Sequence, residues 1–314
     1  MDTIIQVENI THRYPPSRRQ KDPLTAVNMV SFVVQRGEIF CLLGPNGSGK
    51  STLFRILSTM FQPTEGSVMI NGFSLRDQKR DIRETIGVVF QRPSLDIKLT
   101  VRENLLHQGH MYNLRGTLLR TRIGEVLEQV GLSESADALV EHLSGGNQRR
   151  VELAKSLLHS PAVLILDEPS TGLDPVARKE FGHRLQKLSR LEKTTVLLTT
   201  HILDEAELCD RIGIMDRGSM IACDSPANLK QEIGGDVITM QTFSPGALRD
   251  AIAEKFGGDP TVVDGSVRVE RQRGHAFLPQ LVEAFPGQIN SITLSKPTLE
   301  DVYIHHTGHK FSEE

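Results

Sequence analysis

A glycine-rich stretch, "GPNGSGKST" at residues 44–52, constrains the fold of this chain more than any other feature. It fits the pattern G-x-x-x-x-G-K-[ST], whose glycines permit backbone torsions that would clash with a Cβ and so turn successive N–H groups toward phosphate oxygens. The apolar run "IFCLL" (39–43) precedes it, and "TLFRILSTMF" (52–61) follows with apolar residues at helical spacing. The residues predicted to lie on one face of this helix are Leu53, Ile56, Leu57 and Met60. We therefore predict a strand, a phosphate-binding loop and a helix whose positive end points at the same phosphates.

Each part of this loop has a predicted role in holding a nucleotide. The Lys50 ammonium would neutralise charge on the β- and γ-phosphates, and the Ser51 hydroxyl would bind Mg²⁺. The nucleotide-binding residues predicted here are Gly44, Pro45, Asn46, Gly47, Ser48, Gly49, Lys50, Ser51 and Thr52.

Two carboxylates end a second apolar strand, "VLILDEP" at 163–169. Adjacent residues of a strand point to opposite sides, so Asp167 and Glu168 should do different work. Asp167 would enter the Mg²⁺ shell, and Glu168 would face the water that attacks the γ-phosphate, as general base or water-positioner. His201 directly follows a third apolar run, "TTVLLTT" (194–200). Because ligands of open α/β sheets bind at the carboxyl ends of the strands, we expect the loop, the carboxylates and His201 to share one crevice.

The order of patterns along the chain predicts two domains. Short apolar strands alternate with helical patterns, which favours a parallel sheet in an α/β fold. Between about 93 and 143 only helical spacing remains, which indicates a helical insertion. The proline-rich, charged piece at 15–23 predicts an exposed loop. We predict a first domain over 1–234 and a small α+β domain over 235–314, whose order is strand, helix, strand, strand, helix, strand.

Net charge and sequence pattern argue against several classes of protein. The net charge of −3 gives no electrostatic reason to expect a nucleic-acid partner. The longest apolar runs have the length of buried strands, whereas a membrane helix needs about 20 apolar residues. The first residues carry no pattern of a secretion signal, and the three cysteines lie far apart, as expected for a reducing compartment.

A second glycine-rich, helix-opening stretch, "LSGGNQRR" at 143–150, is unexpected in a protein with one nucleotide site. With it, the chain resembles the ATP-binding subunit of an ABC transporter. The segments that carry the resemblance, in the family's order, are Tyr14 (adenine-stacking aromatic), 44–52 (Walker A), Gln91 in "VVFQRPSLD" (Q-loop), 143–150 (signature), 163–169 (Walker B), "STGLD" at 170–174 (D-loop) and His201 (switch histidine). The resemblance covers residues 1 to about 230, and the signature is its most specific part.

The resemblance implies a fold and a mechanism. The fold is a P-loop NTPase cassette of the ABC type, with a mixed sheet core, an antiparallel β subdomain and a helical insertion, here joined to the small α+β domain. ATP is the nucleotide, and Ser51, Gln91 and Asp167 are the implied Mg²⁺ ligands. In this family two subunits pack head to tail, so that the signature of one caps the ATP of the other. The residues implied to act in this way are Ser144, Gly145, Gly146 and Gln148, with Asp174 in the D-loop.

The C-terminal stretch "SKPTLEDVYIHHTG" (295–308) narrows the resemblance. It is similar to the end of ATPase subunits of the drug- and polyketide-exporter type, in which "TLEDVF" is usual and Phe stands where this chain has Tyr303. That group works with separate membrane permeases of the ABC-2 class. The implied assembly is two copies of this chain on such a permease, at the cytoplasmic face of the cell membrane.

Two other classes of function remain as alternatives. One is an ABC-type ATPase that acts on DNA or ribosomes, but no long coiled coil separates Lys50 from Asp167, and the chain has a single cassette. The other is a regulator that binds ATP without hydrolysing it, against which both Glu168 and His201 are present. An ATP-hydrolysing transport subunit is the interpretation that the sequence favours.

Overall fold

The structure, a computed structural model, describes residues 2–16 and 22–311. Most of the predicted loop at 15–23 therefore lies outside the described residues. Contacts between residues divide the chain after Met220, within the strand Ser219–Asp224. The two parts are described in turn, with this strand given in the first.

The first part consists of strands and helices in alternation. In chain order they are β1 (Thr3–Tyr14), β2 (Leu24–Gln35), β3 (Ile39–Leu43), α1 (Lys50–Leu57), β4 (Glu65–Ile70), β5 (Phe73–Ser74), α2 (Lys79–Thr85), β6 (Ile86–Val89), α3 (Val101–Met111), α4 (Gly116–Val130), α5 (Gly145–Leu157), β7 (Val163–Asp167), α6 (Pro175–Glu192), β8 (Thr195–Thr200), α7 (Leu203–Ala206), β9 (Arg211–Asp216) and β10 (Ser219–Asp224). Two short 3-10 helices, Ser133–Ser135 and Val140–His142, precede α5.

The central sheet has six strands in the order β10-β9-β3-β8-β7-β6. Strand β8 pairs in parallel with β3 and with β7, and every residue of these three strands is buried. Continuous burial is typical of parallel strands that are covered on both faces. The register places Leu43 beside Thr200 and Asp167 beside Thr199, so the three carboxyl ends meet at one edge. The predicted parallel sheet is confirmed, and it sets the position of the site.

A second, antiparallel sheet has the order β2-β1-β4-β5. Strand β1 is its centre, paired with β2 on one side and β4 on the other. Alternating buried residues along β1, such as Ile5 and Val7, give it one face toward the core. This sheet agrees with the antiparallel β subdomain that the family resemblance implies.

Residues 93–143 contain α3, α4 and both 3-10 helices. Helix α3 begins with a capping box, in which Thr100 accepts a hydrogen bond from the Glu103 N–H and Glu103 accepts one from the Thr100 N–H. Helix α4 ends at Gly131, whose left-handed backbone is a common helix stop. Both helices pack against α5. Within residues 2–16 and 22–311, none of the helices is both long enough and apolar enough to cross a membrane.

The prediction that four apolar residues share one face of α1 is wrong at Met60, which lies beyond the end of the helix. Leu53, Ile56 and Leu57 are buried, but Met60 is 55% exposed. The helix ends at Leu57, and Thr59 has a φ of 66°, so the backbone leaves the helical path before Met60. The apolar spacing continues past the point at which the helix stops.

The second part follows the order strand, helix, strand, strand, helix, strand after a short helix. Its elements are α8 (Pro226–Glu232), β11 (Asp236–Gln241), α9 (Pro245–Phe256), β12 (Thr261–Val263), β13 (Ser266–Arg271), α10 (Gly274–Ala284), β14 (Ser291–Ser295) and α11 (Leu299–Thr307). They form an antiparallel sheet in the order β12-β13-β11-β14, whose core includes Ile238, Met240 and Leu281. The division after Met220 lies earlier in the chain than the boundary of 234/235 predicted from the sequence, and α8 packs against α11 within this second part.

Tyr303 is a core residue of this second part. Its side chain is fully buried in α11, and its ring lies edge-on to that of Phe311, with 5.0 Å between centroids. The aromatic at this position of the C-terminal stretch is therefore a packing residue.

Candidate functional site

Two glycines of the loop after β3, Gly44 and Gly49, are required by close backbone neighbours. A Cβ at Gly49, whose φ is +101°, would lie 2.4 Å from the Ala26 carbonyl oxygen, and one at Gly44 would lie 2.5 Å from that of Met215. Gly47 has a φ of +80°, and a Cβ there would meet nothing within 4 Å. The loop is thus held tightly at both ends and opens into free space in its middle, as a cradle for a ligand requires.

Two polar side chains of this loop are buried and suited to anionic oxygens. The Lys50 ammonium, in a residue 3% exposed, donates to the carbonyl oxygens of Gly44 (2.6 Å) and Pro45 (2.9 Å). Burial lowers the pKa of Lys50, and the charges of Glu168 and Asp167 oppose that change. The Ser48 hydroxyl oxygen is buried without a hydrogen-bond partner. An orphaned donor beside a buried cation fits the phosphates of a nucleotide.

Asp167 ends β7 as a buried carboxylate. Its Oδ1 accepts a 2.6 Å hydrogen bond from the Thr199 hydroxyl on β8. Burial raises the pKa of Asp167, and the Thr199 hydrogen bond partly offsets this. The three residues predicted to bind Mg²⁺, Ser51, Gln91 and Asp167, each carry an oxygen of the kind that Mg²⁺ prefers. Among the described residues, no three or more His, Cys, Asp or Glu side chains are grouped so that they could hold a metal ion. The predicted Mg²⁺ ligands include only one such side chain, that of Asp167, because the other two are a serine and a glutamine.

Glu168 has a strained backbone that its neighbours hold in place. Its φ is +43°, in the left-handed region that a non-glycine residue seldom occupies. Its N–H donates to the Thr199 carbonyl oxygen (3.1 Å) and to the Thr199 hydroxyl (3.0 Å). Such conformations persist where the surroundings over-determine them, and they concentrate at functional sites.

Three polar side chains converge on the Glu168 carboxylate. Oε2 accepts hydrogen bonds from Gln91 Nε2 (3.0 Å) and from the Thr171 hydroxyl (3.2 Å). His201 Nδ1 lies 3.3 Å from Oε1, although without the alignment of a hydrogen bond. The structure therefore brings Glu168, Gln91 and His201 together at the edge of the sheet where β3, β7 and β8 end.

Tyr14 lies beside the end of the phosphate loop. Its hydroxyl is 3.1 Å from that of Thr52, within hydrogen-bond distance. Its ring packs edge-on to those of His12 and Phe61, with centroid distances of 4.9 and 6.1 Å. These contacts place an aromatic ring next to Thr52, the last residue of the glycine-rich stretch.

The signature residues lie at the start of α5. Ser144 caps this helix by accepting a hydrogen bond from the Asn147 N–H (3.3 Å), and both Ser144 and Gly145 are exposed. The Gln148 amide is instead turned back, donating to the carbonyl oxygens of Val140 and Leu143 at 3.2 Å. Gln148 thus holds the signature loop of its own chain.

Asp174 likewise makes contacts within its own chain. Its carboxylate accepts hydrogen bonds from the N–H groups of Val176 (3.0 Å) and Ala177 (2.9 Å), and it thereby caps α6. The residue is exposed at the helix start.

Sequence reasoning missed two residues that shape the site. Thr199 is fully buried and joins Asp167 to the Glu168 backbone. Arg149 is 8% exposed and donates to four backbone carbonyl oxygens, including those of Asp167 and Glu168. Nothing in "NQRR" separates Arg149 from Arg150, since both read as part of a solvated helix face. Only the burial of Arg149 by tertiary structure distinguishes them.

Comparison with known proteins agrees with this geometry. The ABC transporter family matches residues 27–171. The linearmycin resistance ATP-binding protein LnrL of Bacillus subtilis is 35% identical over 97% of this chain and 98% of its own length. The Nod factor export ATP-binding protein I of Rhizobium johnstonii is 38% identical over 91% of each chain.

A solved structure shows the same fold. The dimeric post-hydrolysis state of the ATP-binding cassette MJ0796, bound to ADP and Pi, has a TM-score of 0.63 and 30% identity. The match covers 71% of this chain and 98% of that one. Family, relatives and fold agree, and the chain belongs to the ABC transporter family as an ATP-binding cassette subunit of the kind that hydrolyses ATP.

Proposed function

We propose that this chain is the Mg²⁺-dependent motor of an exporter, working as a homodimer on a separate ABC-2-type permease at the cytoplasmic face of the cell membrane. The observation that carries the ATPase part is the Glu168 carboxylate, buried at the carboxyl end of β7 with Gln91 and His201 on its two oxygens. A carboxylate held in this way is suited to orient one water molecule and accept its proton.

The positions of the residues support a division of work among them. Lys50 and the loop N–H groups would hold the β- and γ-phosphates, and Tyr14 would stack on the adenine. Glu168 would orient the attacking water, with Gln91 and His201 fixing the carboxylate. The Glu168 backbone cannot relax easily, because the Thr199 hydrogen bonds fix it. A base that is already in place needs little reorganisation during the reaction.

Mg²⁺ would be held by Ser51, Gln91 and Asp167. When bound, it would neutralise charge on the phosphate oxygens. The burial of Asp167 supports this assignment, because a carboxylate with a pKa raised by desolvation gains from a cation next to it.

The second glycine-rich loop supports a dimeric site. Ser144 and Gly145 are exposed at the start of α5, where backbone N–H groups and the helix dipole favour an anion. We propose that Ser144, Gly145 and Gly146 bind the γ-phosphate of ATP held by a second copy. Gln148 and Asp174 would support this surface from within the chain, because their side chains bind their own loop and helix.

Export rests on the relatives and on the C-terminal stretch. Two relatives that span nearly the whole chain are a resistance and an export ATP-binding protein. This favours transport over an ATPase that acts on DNA or ribosomes.

The test is Glu168→Gln, with Glu192→Gln as control, since Glu192 is an exposed carboxylate at the end of α6. We expect the Glu168 variant to bind ATP and accumulate as a dimer, with turnover reduced about 10²–10⁴-fold. Binding is measured with a fluorescent nucleotide and dimerisation by light scattering. Wild-type turnover in this variant would refute the assignment of the base.

A further inference from the structure

One face of helix α5 holds the segment that contains Gln91. Arg149, Glu152 and Lys155 follow one another at intervals of three residues and so share this face. Arg149 Nη1 donates to the Phe90 carbonyl oxygen at 2.6 Å, and Glu152 Oε1 accepts from the Ser94 N–H at 2.6 Å. Lys155 Nζ donates to the Ser94 carbonyl oxygen at 2.7 Å. Both ends of the segment 90–94 are therefore fixed to α5.

The same Arg149 side chain also holds the backbone around Glu168. Its Nε donates to the Pro169 carbonyl oxygen (2.7 Å), and Nη2 donates to those of Asp167 (3.2 Å) and Glu168 (3.4 Å). One planar guanidinium thus spans the main chain next to Gln91 and the main chain at Glu168. Between these two anchored points lies the 3.0 Å hydrogen bond from Gln91 to Glu168.

The hydrogen bonds of Arg149 need an arginine at this buried position. Arg149 is 8% exposed, its nearest carboxylate oxygen, on Glu152, is 3.9 Å away, and its four acceptors are neutral. Burying a cation in this way carries a large desolvation cost, which apolar side chains of similar volume would avoid. What an arginine offers that they do not is a rigid fork of five donors that can fix several carbonyl groups at once.

We propose that Arg149 is a positioning residue for ATP hydrolysis, which sets the distance between Gln91 and the Glu168 carboxylate through their backbones. The inference rests on the proposed function, because it assigns Arg149 an effect on the base. Arg149 touches no reacting atom. It acts before the chemical step, because it keeps the Glu168 carboxylate next to the position of the attacking water.

The test is Arg149→Lys, with Arg122→Lys as a matched control. Arg122 is also largely buried, and it also donates to backbone carbonyl oxygens at the C-terminal end of α5. These acceptors belong to Leu157 (2.8 Å) and Leu158 (3.1 Å). We expect Arg149→Lys to lower kcat about 100-fold, the effect of a misplaced catalytic group. KM and the Kd for a fluorescent ATP analogue should stay within about threefold of wild type. Arg122→Lys should leave kcat unchanged.

A double variant distinguishes action through Glu168 from an independent effect. On the Glu168→Gln background, Arg149→Lys should lower the residual turnover by less than about threefold, because the group that Arg149 positions is already lost. A further 100-fold loss, or equal losses of kcat in the two lysine variants, would overturn the proposal.

Folding is monitored by circular dichroism, with Arg149→Gln as a second variant that retains two amide donors. If neither Arg149 variant folds while Arg122→Lys does, the role is structural and the proposal fails. Failure here is distinct from failure of the proposed function. If the role of Arg149 is wrong, Glu168→Gln is inactive and Arg149→Lys is active. If the proposed function is wrong, Glu168→Gln itself is active.

Discussion

Thr199→Val removes one hydroxyl that serves both carboxylate residues of the site. The Thr199 side chain is fully buried, donates to Asp167 Oδ1 at 2.6 Å and accepts from the Glu168 N–H at 3.0 Å. Valine keeps the shape and loses both hydrogen bonds. A hydrogen bond to a charged group contributes about 1.5–3 kcal/mol and a neutral one about 0.5–1.5 kcal/mol. Glu168 N–H keeps a second acceptor, the Thr199 carbonyl oxygen at 3.1 Å, so we expect a loss of about 2–4 kcal/mol in the free energy of unfolding.

The loss should depend on pH. Burial raises the pKa of Asp167, and the Thr199 hydroxyl acts in the opposite sense by stabilising the ionised carboxylate. The stability lost in Thr199→Val is therefore largest above the pKa of Asp167 in the folded protein, and it becomes smaller as pH falls through that pKa. Urea unfolding of the two proteins from neutral to acidic pH measures it, with Thr199→Ser as the variant that keeps the hydroxyl. Equal stability of the valine and serine variants at neutral pH would refute the reasoning.

Two further predictions concern the charge at Asp167 and the sharing of the site between subunits. Burial raises the pKa of Asp167, so folding favours its protonated form. The contribution of Asp167 to the free energy of unfolding is therefore complete only below the ordinary aspartate pKa of about 4, and it is lost as pH rises through the pKa of Asp167 in the folded protein. In urea unfolding, Asp167→Asn should thus be more stable than wild type at neutral pH and equal to it in acid, while turnover falls about 100-fold; lower stability throughout would contradict this. A Ser144→Arg chain mixed with an equal amount of a Lys50→Ala chain should recover roughly a quarter of wild-type turnover. Half of the dimers contain one chain of each kind, and each of these has one competent site, made from the phosphate loop of the first chain and the signature of the second. If the mixture stays as inactive as its components, or if wild-type turnover per chain does not depend on protein concentration, the shared site is wrong.

The parts of the fold that sequence predicts are those set by local pattern. Strand β3 is a continuous apolar run, β7 is apolar up to its final Asp167, and β8 has an apolar centre between threonines. A parallel sheet is where such strands can be buried on both faces. The meeting of the phosphate loop, Asp167, Glu168 and His201 then follows from topology alone, because the three carboxyl ends share one edge.

What sequence does not predict depends on tertiary hydrogen bonds. Arg149 and Arg150 are adjacent cations on one helix, yet Arg149 is buried against four carbonyl groups while Arg150 pairs with Glu180. Thr199 is one of two threonines that end β8, and only the strand register places it opposite Asp167. The left-handed backbone of Glu168 has no signal in its residue type, since glutamate rarely adopts it. The spacing of apolar residues predicts which face of a helix or strand is buried, but it does not predict which hydrogen-bond partner a buried polar group has.

The state of Lys50 indicates how the site is prepared for its ligand. In the part of the chain that the structure describes, Lys50 donates to two neutral carbonyl oxygens and forms no ion pair with a carboxylate. Its desolvation, which lowers its pKa, is incurred when the chain folds. A triphosphate would replace neutral acceptors with charged ones, and charge-assisted hydrogen bonds are roughly twice as strong as neutral ones. Because the cation is already buried and in position, most of that gain is available for binding, and little is consumed by reorganising the loop.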